Sequence, residues 1–336
     1  MFIKKNADKW KEYQHSPTDN PDETAERFIT LIDDLSYAKT FYPRSKVTRW
    51  INGIAAGIYQ SIYQNRKEKY SRIFQFWKFE IPLLFKRYHR IFLFTTVVFS
   101  LFVAIGIFSS MYNEEFVRGV LGDRYVDMTE ENIAKGDPFG VYKDDNPFSM
   151  FVRIGFNNIK VAFLTFIFGF TLGIFTIWVM WQNGLMLGCF QYMFFSKGLG
   201  IKSIMVIWIH GTLEISSIVI AATAGFILAN GILFPGTFSR MESFRQGIKD
   251  AAKILLCLVP FFIVAAFFES YVTHLMSQTF DKENNAGLPV WVSITILVVS
   301  LLFIIWYFII LPIRLHKKGY YLQPDGIVNR LKQHNA

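Results

Sequence analysis

The chain has 336 residues, of which 52% are hydrophobic and 18% aromatic, and its mean hydropathy is +0.29. This composition excludes an ordinary soluble globule and favours several membrane spans. The net charge is +9, but no basic stripe is interleaved with stacking aromatics outside the apolar runs, so we expect no nucleic-acid partner. Cys189 and Cys257 both lie in apolar runs and indicate neither a disulfide framework nor a zinc site.

The first ninety residues predict a helical domain on the cytoplasmic side. They hold 17 Lys and Arg against 10 Asp and Glu, which is typical of a cytoplasmic segment. Acidic helix-start residues precede an apolar stripe that includes Phe28, Leu31 and Leu35, and Pro43 is expected to end that helix. A second amphipathic helix follows. The aromatic and basic stretch 71–90 then predicts an interfacial helix that leads into the first span.

Uncharged apolar runs predict the membrane-spanning helices, because about 20 such residues cross the hydrocarbon core. The segment 184–199 is short and either spans or re-enters the membrane. We predict an all-α fold, a polytopic transmembrane helical bundle of about six spans with a cytoplasmic helical domain. The predicted boundaries are 1–90 for the cytoplasmic domain, 91–311 for the transmembrane domain, 112–160 for an extracytoplasmic cap, 312–336 for a cytoplasmic tail, and 91–111, 161–181, 184–199, 203–231, 254–271 and 290–311 for the spans.

The distribution of charge favours six spans over five. Six spans place the basic N-terminal region, the basic segment 236–253 and the basic tail on the cytoplasmic side. The cap, with 9 acidic and 6 basic residues, then lies outside. It contains a short predicted helix with Thr129 as N-cap and Gly136 just beyond its end. We expect a multi-pass protein of the inner (cytoplasmic) membrane, surrounded by lipid, with both termini in the cytoplasm.

Small residues recur at intervals of four in consecutive spans. This spacing lets helix backbones approach closely in lipid. It predicts tight packing within the bundle or a seam between subunits, and we expect a homodimer because twofold assemblies are the commonest closed oligomers. The residues concerned are Gly169 with Gly173, Gly184 with Gly188, and Ala221 with Gly225 and Ala229.

The fourth predicted span carries two ionisable side chains, His210 and Glu214. At about 100° per residue they share one helical face with Ser217 and Ala221. We expect this face to point into the protein, because a charged side chain in lipid at mid-bilayer costs about 2.5–3.5 kcal/mol. Gly211, next to the histidine, is expected to loosen the helix and admit water.

Polar residues on other spans are candidates to meet this pair. Glu269 lies near the outer end of the fifth predicted span. Asn157 and Asn158 precede the second predicted span, and Asn183 with Gly184 forms a predicted turn before the short third one. We expect these residues to flank an intramembrane polar site.

Three interpretations of His210 and Glu214 stay open. They hydrogen-bond across helices and hold the bundle together. Alternatively, they form an ion, proton or metal site, since His and Glu four residues apart present two ligands on one helical face. The third interpretation is an intramembrane enzyme. HExxH and GxSxG are missing from the sequence, so we expect no catalytic residues, no enzymatic activity and no cofactor.

Several stretches together resemble the stage II sporulation protein M family. They are HGTLEISSIVIAATAGF from residue 210, NNIKVAFLTFIFGFTLGIFT from residue 157, and QNGLMLG from residue 182. The stretch 31–64 is similar to the N-terminal extension of the family's long, non-sporulation members. The resemblance implies a polytopic inner-membrane protein with His210, Gly211 and Glu214 at its centre and no transferable catalytic activity.

The resemblance also sets an expectation for function. The founding member of that family acts with cell-wall hydrolases during engulfment of the forespore, as their membrane anchor. Long members are associated with a membrane-linked ATPase, so the sporulation role itself does not carry over. We predict an integral membrane scaffold or anchor for a cell-envelope complex with protein partners. The alternative is a channel or transporter for an ion or small solute that passes the His/Glu site.

Overall fold

The computed structural model describes residues 2–16, 18, 20–63, 71–140, 146–281, 287–323 and 328–330. The described chain is almost entirely helical, which confirms the predicted all-α class. It divides into two compact units, Met1–Arg72 and Ile73–Ala336. The first unit ends at Arg72, ahead of the predicted end of the cytoplasmic domain at residue 90.

The N-terminal unit is built from three helices, α1 (Phe2–His15), α2 (Pro21–Phe41) and α3 (Lys46–Tyr63). Asn20 caps α2 by accepting a hydrogen bond from the backbone N–H of Asp22. The helices bury a core of their own, in which Trp10, Leu31 and Ile51 are fully buried. As expected, α2 ends before Pro43, because proline cannot continue the helical hydrogen-bond ladder.

The stretch 71–90, predicted to be an interfacial helix that leads into the first span, is helical, and its second half is buried in the larger unit. The stretch forms α4 (Ser71–Gln75), a π-helical turn (Phe76–Glu80) and α5 (Ile81–Arg87). Ile81 and Leu84 are fully buried in the main core of the larger unit. A salt bridge of 2.6 Å joins Glu80 to Lys253 and fixes this segment to the base of the bundle. The apolar residues of α5 thus pack against protein rather than lipid.

In the described part of the larger unit, six long helices form the body, with short helices between them and a two-stranded hairpin after them. Five are long and apolar enough to cross a membrane. The uncharged α10 is less apolar because it carries Gln182, Asn183 and Gln191, so the sixth span stays a prediction. The elements are α6 (His89–Tyr112), α7 (Glu114–Leu121), α8 (Asp123–Lys135), α9 (Pro147–Ile167), α10 (Ile174–Ser196), α11 (Gly200–Leu233), α12 (Arg240–Phe267), α13 (His274–Gln278), α14 (Val290–Ile305), α15 (Leu311–Lys317), β1 (Tyr320–Leu322) and β2 (Val328–Arg330).

Short stretches of other helical types extend three of these helices. A 3-10 turn (Phe168–Thr171) follows α9, a π-helical turn (Phe268–Thr273) joins α12 to α13, and another (Trp306–Ile310) joins α14 to α15. Strands β1 and β2 pair antiparallel, with Tyr321 opposite Asn329. The predicted tail from 312 onward is therefore partly a continuation of the last long helix.

The second and third predicted spans, 161–181 and 184–199, have the wrong boundaries. The apolar run is broken at Leu172 and Gly173, which both have positive φ, 58° and 86°. Two successive left-handed residues turn the chain, so α9 ends before this point and α10 begins after it. Residues 184–199 are the second half of α10 and the turn after it, not a separate span.

The cap is smaller than predicted. It consists of α7, α8 and the residues up to 140, because α9 begins at Pro147 and already includes 147–160. Thr129 does not cap a helix. It lies inside α8 and donates to the Tyr125 carbonyl, while Gly136 ends α8 in the left-handed conformation as expected. Phe139 is buried and stacks on Phe194 of α10.

Glycines bring the long helices into backbone contact. A Cβ on Gly106 of α6 would lie 2.8 Å from the Leu185 carbonyl oxygen of α10, and a Cβ on Gly188 would overlap the Val103 carbonyl. In the same way Gly169 is pressed against the Gly225 carbonyl of α11. These contacts are made within one chain. They accord with packing inside the subunit, and the expected homodimer stays a prediction.

The remaining small residues of the predicted pattern also face the interior of the bundle. Gly173 lies against Phe226, and Gly184 against Phe102. Ala221 and Ala229 are buried, at 1% and 3% exposure. Every residue of the three small-residue repeats is therefore used in packing within the larger unit.

Alanine at Gly169 or Gly188 should destabilise the bundle by about 1–3 kcal/mol, because the added methyl group meets a backbone carbonyl that cannot rotate away. Thermal unfolding of the detergent-solubilised protein measures the effect. Gly119→Ala is the matched control, since nothing lies within 4 Å of its Cβ position. Equal melting temperatures for all three variants would contradict the close helix contacts.

Candidate functional site

Three titratable side chains converge inside the larger unit. His210 and Glu214 lie one turn apart near the middle of the 34-residue helix α11. Glu269 lies on the π-helical turn that follows α12. One ligand atom from each of the three lies within 4.8 Å of those of the other two. We refer to His210, Glu214 and Glu269 as the polar triad.

Hydrogen bonding fixes the orientation of the histidine ring. Nδ1 of His210 lies 2.9 Å from Oγ1 of Thr273, and Nε2 lies 4.0 Å from Oε2 of Glu269. Thr273 is fully buried, and the His210 side chain is only 6% exposed. The π-helical turn carries both partners, Glu269 and Thr273. Such turns are rare and occur often at functional sites, because the extra residue redirects the side chains.

Helix α9 brings a third element to the triad. Asn158 is buried and its amide interacts with Glu214, yet Nδ2 makes no hydrogen bond of good geometry to the described residues. Arg153, one and a half turns earlier, interacts electrostatically with Glu269. Two carboxylates, one arginine and one imidazole therefore meet where α9, α11 and the π-helical turn come together.

Two serine hydroxyls beside the triad also lack a hydrogen-bond partner among the described residues. Ser217 follows Glu214 on α11, Ser270 follows Glu269, and each is 1% exposed. A buried unpaired hydroxyl costs free energy. The described residues thus leave two hydroxyl groups beside the triad without a hydrogen bond.

A cavity of about 310 Å³ reaches two members of the triad. Helix α11 contributes His210, Gly211 and Glu214 to its wall, and α10 contributes Asn183. No atom lies within 4 Å of the Cβ position of Gly211, so the glycine leaves open space beside the histidine. Larger cavities lie at the opposite end of α11 and in the N-terminal unit, but neither is lined by a triad residue.

The cap forms one side of this cavity. Val120, Leu121 and Tyr125 of α7 and α8 line it opposite the triad. Burial raises the pKa of Tyr125 to about 12, so its phenol stays neutral at physiological pH. The wall that the cap contributes to the cavity is therefore apolar apart from one neutral hydroxyl.

Beyond Glu214 the bundle closes. Ile220, Ala222 and Ala224 of α11 are at most 1% exposed. Further along the helix, a Cβ on Gly225 would lie 2.7 Å from the Thr165 carbonyl oxygen and 2.8 Å from Thr176 Oγ1. Among the described residues, the cavity therefore lies between the triad and the cap, and the bundle is closely packed on the other side of the triad.

The structure separates the sequence-predicted candidates into three groups. His210, Glu214, Glu269 and Asn158 come together, and Gly211 and Asn183 line the cavity. Asn183 also donates to the Val179 carbonyl, and it lies inside α10, so the predicted turn at Asn183 and Gly184 is wrong. Asn157 is exposed and points away from the buried Asn158 face.

Sequence reasoning missed Thr273, Ser270 and the cap residues. The cap residues that line the cavity, Val120, Leu121 and Tyr125, lie more than 80 residues before His210 in the sequence, and no local pattern indicates their contact with α11. Thr273 follows Glu269 by four residues, and that spacing on a predicted helix was the available signal. The two side chains meet His210 only through the π-helical turn, which periodicity does not show.

Helices long and apolar enough to cross a membrane, with ionisable side chains turned inward, are typical of an α-helical membrane protein. Residues 95–274, more than half of the chain, match the family model described as Stage II sporulation protein M. The chain belongs to this family, as the sequence resemblance predicted. Residues 1–64 match a domain of unknown function, DUF8413, which fits the N-terminal extension. Comparisons with curated proteins and with solved structures find no match.

Gly211→Cys should react with a membrane-impermeant thiol reagent added outside right-side-out vesicles, because residue 211 lines the cavity under the predicted outer cap. Ala222→Cys, at a fully buried position, is the control that should stay unlabelled. The native cysteines are buried and give little background. Labelling is read by mass shift.

Arg245→Cys extends the same experiment to the predicted topology, since six spans place this residue in the cytoplasm. It should react only after the vesicles are made permeable. Reaction of Arg245→Cys from outside would contradict six spans. An unreactive Gly211→Cys would contradict the open cavity.

Proposed function

We propose that the protein binds a cation at the polar triad and carries it into or across the membrane. The supporting observation is the convergence of His210, Glu214 and Glu269, the first two of which line a cavity whose other wall is formed by the cap. Intramembrane ionisable side chains are expensive and commonly mark the path of an ion. Here they come from two different helices, so their meeting is a property of the tertiary fold.

Electrostatics favours a positively charged occupant. Glu214 and Glu269 repel one another, and two neighbouring carboxylates that are largely removed from water are destabilising unless a proton or a cation is shared between them. Arg153 acts on Glu269 from the exposed part of α9. One further positive charge near Glu214 would balance the site.

The packed floor favours a carrier over an open pore. A pore needs a continuous path, whereas the helix segment beyond Glu214 is buried against α9 and α10 through Gly225. A carrier exposes its site to one side at a time and moves helices to reach the other. In such a carrier, we expect the helices to slide past one another at the close glycine contacts described above.

We propose a membrane topology together with this function. The protein lies in the inner membrane with six spans, with both termini in the cytoplasm and the cap outside. The cation then enters from the extracytoplasmic side. The N-terminal half of α12 is rich in Lys and Arg, and in it Lys253 pairs with Glu80. This half of the helix faces the cytoplasm, in accordance with the positive-inside rule.

A second candidate function is the scaffold or anchor of a cell-envelope complex. The N-terminal unit favours it, since this unit has its own buried core and carries a groove of about 540 Å³. Tyr13, Arg27, Arg49 and Trp50 line the groove, and arginine and aromatic side chains are enriched at protein interfaces. A partner on the cytoplasmic side, such as a membrane-linked ATPase, fits this surface chemistry. Both functions can reside in one chain.

Glu214→Gln should reduce cation flux by about tenfold or more, because the amide keeps the shape and hydrogen bonds of the side chain but not its charge. Flux is measured in proteoliposomes that enclose a proton indicator or a divalent-cation indicator. Glu130→Gln is the matched control, a carboxylate of the cap that pairs with Arg118 and Lys197. It should leave flux unchanged.

Absence of both proton and divalent-cation flux in the wild type would contradict the carrier. So would equal flux in wild type and Glu214→Gln. If flux is absent while the partner complex assembles normally around Glu214→Gln, the second candidate is the function of the chain.

A further inference from the structure

We propose that the polar triad is a divalent transition-metal site, with Nε2 of His210 and one carboxylate oxygen each of Glu214 and Glu269 as ligands. This inference rests on the proposed cation site and names the class of cation. Three different side chains supply one nitrogen and two oxygens. The set is held by α11 on one side and the π-helical turn on the other.

The distances suit a metal with a small rearrangement. The three ligand atoms lie within 4.8 Å of one another. In a Zn²⁺ site with bonds of about 2.0–2.2 Å, neighbouring ligand atoms are roughly 3–3.5 Å apart. A closure of about 1 Å is within the reach of two glutamate side chains that rotate about their χ angles. The helices need not move to complete the site.

Thr273 prepares the histidine for coordination. When Oγ1 of Thr273 accepts a hydrogen bond from Nδ1–H of His210, Nε2 carries the lone pair, and Nε2 is the nitrogen that faces Glu269. Metal-ligating histidines almost always donate their other N–H to such a partner, which fixes the ring and its tautomer. Thr273 is therefore a positioning residue, and it does not itself bind the metal.

The buried polar atoms around the triad provide an independent argument. In the described part of the chain, four buried side-chain nitrogen or oxygen atoms have no hydrogen-bond partner, and three belong to Asn158, Ser217 and Ser270. Asn158 is 8% exposed and its amide interacts with Glu214. Water molecules bound to a metal donate hydrogen bonds, which the hydroxyl oxygens of Ser217 and Ser270 would accept. Without a metal, the polar atoms are buried at a cost.

The chemistry of the ligands selects among cations. Imidazole nitrogen suits Zn²⁺, Fe²⁺, Co²⁺ and Ni²⁺, whereas Ca²⁺ and Mg²⁺ prefer oxygen ligands alone. Two carboxylates neutralise a divalent charge. Three protein ligands leave a coordination position open to water on the side of the cavity, as in sites that exchange their ligands. A site with four protein ligands would instead hold its metal permanently.

The full-length protein in nanodiscs, titrated with Co²⁺, tests the proposal by visible absorption. We expect one equivalent to bind with a spectrum of a four- or five-coordinate ion. His210→Ala and Glu269→Gln should each weaken binding by at least about tenfold, because each removes a direct ligand. His274→Ala is the matched control, since this neighbouring histidine interacts with Gln278 and lies outside the triad.

Thr273→Val tests the positioning role. It should weaken Co²⁺ binding by about 10- to 100-fold and shift the absorption bands, because the ring loses its orienting hydrogen bond. Thr273→Ser should restore both properties. A valine variant with the wild-type spectrum and affinity would show that Thr273 serves packing only.

Failure of this inference is distinguishable from failure of the proposed function. No Co²⁺ absorption in the wild type, or wild-type binding by His210→Ala and Glu269→Gln, would overturn the metal site. Proton flux that depends on Glu214 but occurs without metal binding would overturn the metal site and leave the carrier standing. Metal binding without any flux would leave the metal site standing and overturn the carrier.

Discussion

The interior of this bundle depends on keeping ionisable side chains away from lipid. His210 and Glu214 are on a predominantly apolar helix, and a charge exposed to hydrocarbon there costs several kcal/mol. The helices therefore pack with that face inward. Glu269 and Thr273 on the π-helical turn and Asn158 on α9 complete the enclosure. The arrangement is costly for a simple helix contact, since it brings two partly buried carboxylates together, and this cost is the reason to assign it a cation.

Close glycine contacts pack the bundle tightly on one side of the triad, the side away from the cap. Gly225 against α9 and Gly169 against α11 bring the backbones together beyond the triad, so no side chain or solute fits between them. Toward the cap the same helix carries Gly211, which leaves space instead of filling it. On α11, Gly225 thus allows a neighbouring helix to pack closely, whereas Gly211 leaves open space. The cavity under the cap and the packed floor follow from that difference.

Sequence reasoning found the parts of the site that local periodicity fixes. Helical spacing placed His210 and Glu214 on one inward face, and nearness to a helix end suggested Glu269. Local periodicity could not predict the π-helical turn, because the change from hydrogen bonds between residues i and i+4 to bonds between residues i and i+5 arises from tertiary packing. The turn at Leu172 and Gly173 was missed because an uncharged run was taken as one span, and a leucine at positive φ is rare. The cover that α7 and α8 provide depends on contacts distant in sequence.

The central claim is that the polar triad holds a cation, and anomalous scattering from crystals grown with Co²⁺ tests it most directly. The account predicts one strong anomalous peak within about 2.5 Å of Nε2 of His210 and in bonding contact with both carboxylates. It also predicts that the peak disappears in crystals of Glu269→Gln. An experimental structure without such a peak, in which Glu214 and Glu269 hydrogen-bond directly to each other as a protonated pair, would contradict it.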